Sequence, residues 1–262
     1  MADTDFYFGH GKGALGTRNT TTGVPVTFDI PLLEIDELSL TVANEKVEHI
    51  SKRLSLSSKD LSVVKMMGMS GKIVTSVHTP DLIKLGTYGT KATIAGGSSA
   101  ATSYAAGVAV GDILAHPSGK TRLSSIVLTD STGSPQTLTL GTHYEIWDAA
   151  AGLIKILSLS TPTMVQPIKI AATEAAGVSV ALMNQRIYER CLVFSGINIA
   201  DEDKPCIVNL YKIQIEPFAN WNLLSSGNEV NKFEFNFECL KDTLRATDAS
   251  LGQYGNYQES NG

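Results

Sequence analysis

The chain is poor in charge, in cysteine and in long apolar runs, and each shortage closes off a class of function. Asp, Glu, Lys and Arg make up 18% of the 262 residues, and 26 acidic against 21 basic residues leave a formal charge of −5. Phosphate affinity comes mainly from lysine and arginine, so a net acidic chain makes a poor general binder of nucleic acid. The three cysteines, Cys191, Cys206 and Cys239, are odd in number and show no C-x-x-C spacing. That argues against a zinc site or a disulfide framework and favours a reducing compartment. Cys239 lies in the alternating run FEFNFECL, where a small buried thiol is expected. No apolar run reaches the roughly 18 residues of a membrane span. The opening MADTDFYFGH carries neither the positive region nor the apolar core of a secretory signal. The expectation is a protein made, and first folded, in the cytoplasm, with no membrane partner.

Sustained 3.6-residue periodicity is also scarce, and alternation of apolar and polar residues takes its place. VPVTFDI puts Val24, Val26, Phe28 and Ile30 on one face, ELSLTVANEKVEHI alternates Leu38, Leu40 and Val42, and SGKIVTSVH alternates again. These read as consecutive antiparallel strands. Between the last two lies SKRLSLSSKDLSVVKM, whose Lys52, Arg53, Lys59 and Lys65, with Lys72 beside them, are opposed within it only by Asp60. It reads as a loop over about 51–65, too long for a tight turn, unless it is a solvated extension of the hairpin. One short helix is predicted near 80–86: Thr79 or Asp81 caps it, Pro80 fits its first turn and Gly86 ends it. TYGTKATIAGGSSAATSYAAG, 87–107, is rich in small residues and reads as a loop or linker. A β-rich module over 108–183 follows, with turns at Asp130–Pro135 and Asp148–Gly152. Long strands return in CIVNLYKIQIEPF and NKFEFNFECL, and the stretch after 246 reads as a flexible tail.

Catalytic and cofactor motifs are sparse. Gly11, Gly13 and Gly16 in GKGALG match a dinucleotide fingerprint in spacing, but turn and strand residues follow where a helix is required. A flexible N-terminal strand and turn is the better reading. His10, His49, His78, His116 and His143 have no partner at metal-ligand spacing. His143 could share a strand face with Glu145, yet reads as a surface histidine at a turn. Ser195 lacks the leading glycine of a nucleophile elbow. Glu34, Asp36 and Asp201 offer carboxylates for a β-rich hydrolase, although such clusters are usually solvated turns. The expectation is no enzyme, no cofactor and no metal.

Four stretches, in order, resemble the major tail tube protein of long-tailed bacteriophages. They are GKGALGTRNTTTGVPVTFDIPLLEIDELSLTV, VHTPDLIKLGTYG, VGDILAHP with LTLGTHYEIWDAAAGLIKIL, and LVFSGINIADEDKPCIVNLYKIQIEPFANWNLLSSGNEVNKFEFNFECLKD. Together they cover most of the chain, and their order is more specific than any one of them.

The resemblance implies a fold shared with the type VI secretion tube: two packed antiparallel sheets, sandwich- or barrel-like, with one flanking helix and a β-rich insertion. Residues 1–107 and 184–262 would form the tube domain and 108–183 the insertion. It further implies a virion structural protein of the tail, assembled in the host cytoplasm as stacked, hexameric rings that conduct DNA without binding it specifically. Its partners would be other copies of itself and the tail terminator, tip and tape measure proteins, a sheath protein being left open. Carried onto this chain, the 51–65 connection resembles the loop that stacks rings, which makes Lys52, Arg53, Lys59, Asp60 and Lys65 candidate interface residues. The competing reading is a carbohydrate-binding or adhesin-like β module, for which Trp147 and Trp221 are the available aromatic platforms.

Overall fold

A computed structural model of the chain describes residues 9–52, 58–160, 163–186, 189–199, 204–218, 220–225, 230–245 and 252–259. It is mainly β, with antiparallel sheets and, among the described residues, one short helix, as the alternation predicts. In chain order the elements are β1 (Gly9–Arg18), β2 (Pro25–Leu32), β3 (Glu37–Ser51), β4 (Ser58–Thr75), α1 (Pro80–Gly86) and β5 (Thr90–Ile94). Then come β6 (Gly97–Ser98), β7 (Thr102–Ser103), β8 (Ile113–Ala115), β9 (Leu123–Thr129), β10 (Tyr144–Asp148) and β11 (Leu153–Ile156). The last are β12 (Lys169–Glu174), β13 (Gly177–Ala181), β14 (Glu189–Asn198), β15 (Lys204–Ile215), β16 (Phe233–Cys239) and β17 (Gly255–Glu259). The chain divides into two compact units, residues 1–91 with 180–262, and residues 92–179.

The first unit is one large sheet in the order β2-β1-β14-β15-β16-β4-β3. Along β16 the alternation is complete: Phe233, Phe235, Phe237 and Cys239 are buried and the residues between them exposed. The three phenylalanines join Leu15, Ile30, Ile73, Leu192, Ile213 and Ile215 in the core. Helix α1 adds Leu82 and Leu85 to it. The Thr79 hydroxyl caps α1 by accepting from the Leu82 amide at 3.2 Å, Asp81 stands in the first turn and Lys84 in the last. Gly86 ends the helix where the Phe218 ring lies against it, and a Cβ there would collide with that ring.

Four expectations about this unit are corrected. First, β2 and β3 are neighbours in sequence but stand at opposite ends of the strand order. Second, the segment read as a flexible N-terminal strand and turn is strand throughout GKGALG: it lies within the ten-residue β1, wedged between β2 and β14. Its glycines serve close approach: a Cβ on Gly16 would come within 2.8 Å of both the Cys191 sulfur and the Thr27 carbonyl. Third, the 51–65 connection is no loop over most of its length but the alternative, an extension of the hairpin, because β3 and β4 stay paired out to Ser51 and Ser58. Fourth, within the stretch read as a flexible tail, β17 pairs with Cys206–Leu210 of β15. Strand β14 covers the other side of β15, so β16 and β17 share one edge of it end to end.

The C-terminal segment is tied down before β17 begins. Arg18 donates to Asp242 at 2.7 Å and to Glu189 at 2.6 Å, and the Arg18 and Asp242 side chains are only 3% and 1% exposed. Gly23, at φ +72°, brings its turn so close that a Cβ would lie 2.8 Å from the Asp242 carboxylate.

The second unit holds its own core, with Leu128, Leu138, Ile154, Ile156, Ile168 and Ile170 at its centre. It begins at Ala92, upstream of the expected boundary at 108, because part of the small-residue stretch is not a linker. Strands β6 and β7 pair with β12, and Tyr104 follows β7 into the core. Small side chains let this backbone lie close against the Ala171–Ala172 stretch, where Ser99 N–H donates to the Ala172 carbonyl at 2.8 Å. Asp130 is buried at the predicted turn and accepts from the Gln136, Thr132 and Val165 amides and the Thr132 hydroxyl.

Candidate assembly interface

The feature least explained by the fold of a single chain is the outer part of the β3–β4 hairpin. Strand β16 covers β4 only over Met69–Thr75, so from Gly68 outward the two strands have, among the described strands, no neighbour but each other. Nine residues of β3, from Ala43 to Ser51, continue in that ribbon. At about 3.4 Å per residue it is an arm roughly 30 Å long. Its alternation is imperfect, and bulges between Glu45 and Lys46 and between His49 and Ile50 change which face each residue takes. Apolar residues consequently stand along the whole arm: Val47, Ile50, Leu61, Val63, Val64 and Met67 are each about half exposed or more. A lone two-stranded ribbon is marginal in water, and contiguous exposed apolar surface marks an interaction site.

Charges on the arm are matched across its strands. His49 faces Asp60 at 2.6 Å, Lys65 faces Glu45 at 3.2 Å, and Lys59 pairs with Glu48. Lys72, at the base, lies 3.6 Å from Glu37 and 3.4 Å from Glu234. The reading of a cationic loop opposed only by Asp60 is therefore corrected. The opposing carboxylates sit on the partner strand, ten to twenty positions away, where a linear reading does not register them. Lys59, Asp60 and Lys65 all lie on β4, Lys52 directly follows β3, and Arg53 lies outside the described residues. These pairs are exposed, so each contributes well under ~1 kcal/mol, and the arm's capacity for docking is mainly apolar.

A second exposed apolar row lies at the far end of the same sheet. Val24, Val26 and Phe28 are 56%, 62% and 46% exposed, whereas Ile30 and Leu32 further along are buried. The described strands thus leave one free edge at β2 and another at β3.

The remaining sequence candidates fall elsewhere. Asp36 lies 3.3 Å from Lys232 and its neighbour Glu37 pairs with Lys72, so both stand in surface ion pairs, and Glu34 is exposed. Asp201 lies outside the described residues. His143 is buried, against expectation, because its ring folds under its own turn and Nδ1 accepts from the Thr139 amide at 2.8 Å. Glu145 pairs instead with Lys155 at 3.3 Å. Ser195 sits mid-strand opposite Ile207. Trp221 packs on Phe218 and Phe233, while Trp147 is 55% exposed with the Lys155 amine 5.4 Å from its ring centre. Among the described residues no group of three or more His, Cys, Asp or Glu side chains could hold a metal ion, and no helix is long and apolar enough to cross a membrane.

A family model described as Protein of unknown function UCP028589 matches residues 6–258. The chain belongs to that family. The span matched to UCP028589 runs through the arm and both compact units, so neither is a terminal addition to the family's chain. No curated protein matches the chain.

Proposed function

We propose that this chain is a structural subunit that assembles with copies of itself, in the manner of a phage tail tube ring. The observation that carries the proposal is the arm: roughly 30 Å of unsupported ribbon with half-exposed Val47, Ile50, Leu61, Val63, Val64 and Met67. Fully burying a side chain of that size stabilises by about 1.5–3 kcal/mol, so covering the exposed halves contributes about 1 kcal/mol each. A neighbouring copy supplies such cover at no cost in sequence, and every copy in a ring offers the same arm. The two open edges support the same reading. A strand edge presents unpaired N–H and C=O groups, and joining β2 of one copy to β3 of the next satisfies both in a head-to-tail contact.

Electron microscopy and sedimentation velocity on the purified protein test this directly. Rings or tubes are the expected outcome, and monomers persisting at high concentration, even after nucleation, would overturn it. The carbohydrate-binding reading retains one platform, the exposed Trp147 with Glu145, Lys155 and Asp148 near it on β10 and β11. Binding of soluble glycans that is lost in Trp147→Ala would favour that reading.

A further inference from the structure

Strand β8 belongs to the three-stranded sheet β10-β11-β8 and β9 to the sheet around β12, so residues 116–122 carry the chain from one sheet of the second unit to the other. His116 stands at the head of that connection, and only 3% of it is exposed. Its carbonyl accepts from the Gly119 amide at 2.8 Å, which closes a turn with Pro117 in the second position. Its ring folds over the same turn, and Nδ1 accepts from the Ser118 amide at 3.1 Å. The ring proton is therefore on Nε2, which is buried without an acceptor. The connection is fastened to both sheets. The His116 amide donates to the Gly152 carbonyl at 3.2 Å and the Arg122 amide to the Ala150 carbonyl at 2.9 Å, both in the turn between β10 and β11. On the other side, Glu174 of β12 accepts from the Thr121 amide at 3.3 Å.

An imidazole nitrogen accepts a hydrogen bond only while it is unprotonated. Protonation sets an N–H on Nδ1 against the Ser118 N–H and leaves a full charge in a buried site. The charged groups that face the ring are Lys120 on its own turn and Glu174 on β12. Burial, with Lys120 after it, holds the ring below the ordinary histidine value, and Glu174 pulls the other way with less effect. Glu174 is also engaged already, by the Thr121 amide and by Lys120 at 3.9 Å. The 149–152 stretch beside the turn is Ala-Ala-Ala-Gly and brings no charge. We propose that the 116–122 connection is an acid-operated latch between the two sheets of the second unit, closed by neutral His116 and opened when its ring takes up a proton. The opened turn binds that proton more readily than the closed one. The latch therefore has its full strength above the ordinary histidine value and loses it as pH falls from there through the lower folded one. Asp130, in the same unit, responds only in the carboxylate range below this window. All of these residues lie within 92–179, so the latch does not depend on the assembly reading.

Hydrogen exchange of the full chain tests this, read by mass spectrometry at about pH 7.5 and about pH 5 and corrected for the intrinsic pH dependence of exchange. Amides over 116–122 are expected to lose protection about tenfold in acid, the effect of one pKa unit of difference between closed and open turn. Ile154 and Ile170, in the core of the same unit, should hold theirs. His116→Asn places Oδ1 where Nδ1 stands, so the Ser118 amide keeps an acceptor that does not titrate in this range. That variant should show equal protection of the turn at both pH values, with Ile154 and Ile170 reporting that it is folded. Exchange at the Cε1–H of the His116 ring in the native chain gives a reading that needs no variant, and its midpoint should lie below the ordinary histidine value. The proposal is overturned if native protection over 116–122 is the same at both pH values, if the acid loss persists undiminished in folded His116→Asn, or if the native ring titrates at or above the ordinary value.

Discussion

Replacing Val47, Leu61 and Val63 by threonine tests whether the arm is an interface. Val47 and Val63 face each other across the ribbon, and Leu61 lies on the same strand as Val63, two residues away. Each is about half exposed, at 51%. Threonine keeps the β-branching of Val47 and Val63 and brings it to position 61, a shape that strands favour, so the ribbon itself is little disturbed. If a neighbouring copy covers these side chains, the loss is about 1 kcal/mol at each position, or about 3 kcal/mol per arm. Every 1.4 kcal/mol is a factor of ten in an equilibrium constant, so association between copies should weaken by about a hundredfold. The assay is sedimentation velocity across a concentration series, with electron microscopy of the same samples. Circular dichroism and hydrogen exchange at β14 and β15 establish that the sheet is intact. If the concentration needed for assembly is unchanged in a folded triple variant, the arm is not where copies meet.

Further expectations follow from other parts of the structure. Charge reversal at Lys52, Lys59 and Lys65 sets like charges across the ribbon at Glu48 and Glu45; the sheet should survive, while the ring stacking of the proposed assembly, followed by microscopy, should be lost. Asp242→Ala leaves Arg18 buried with half its carboxylate support gone, and breaking a buried pair this way costs about 3–5 kcal/mol, readable as a fall in the urea midpoint. Asp130 responds to pH: burial pushes its carboxyl up, but hydrogen bonds from Gln136, Thr132 and Val165 outweigh this and leave it below the ordinary carboxylate value. Its contribution is complete above the unfolded-state pKa and is lost as pH falls through the lower folded one, so amide protection at Leu128 and Leu138 should drop in acid and Asp130→Asn should flatten that dependence. Tyr104 has its hydroxyl buried without a partner, and burial pushes its pKa up to about 12; Tyr104→Phe should raise stability by about 1 kcal/mol in denaturant titration.

What was legible in the sequence was whatever repeats locally. The Phe233, Phe235 and Phe237 alternation and the Thr79-Pro80 helix start carry their physics within a few residues, and both appear where expected. The arm was visible only as an anomaly. Its glutamates and lysines neutralise one another across strands, so the segment looks cationic until the Glu45–Met66 register is known. The glycines of β1 lower strand propensity and made it read as flexible, whereas Gly16 is needed because Thr27 and Cys191 press against it. Strand β17 contains little that drives burial and is a strand because β15 offers it an edge. The cluster around Arg18 joins residues 18, 189 and 242, a separation across which no pattern operates.

The pairing of β1 with β14 also sets an order of events during synthesis. Arg18 is translated 171 residues before its partner Glu189, an interval on the order of ten seconds or more at cellular elongation rates. The segment between them contains the whole of the second unit, whose strands pair only with one another over 97–174. That unit can close while the N-terminal strands still wait for β14 and the last anchor, Asp242, is untranslated. The two ends of the large sheet, β1 with β2 and β3 with β4, lie within residues 9–75, and it is the middle of the sheet, β14 to β16, that comes last. The two early hairpins are therefore held together in one sheet only when nearly the whole chain has left the ribosome.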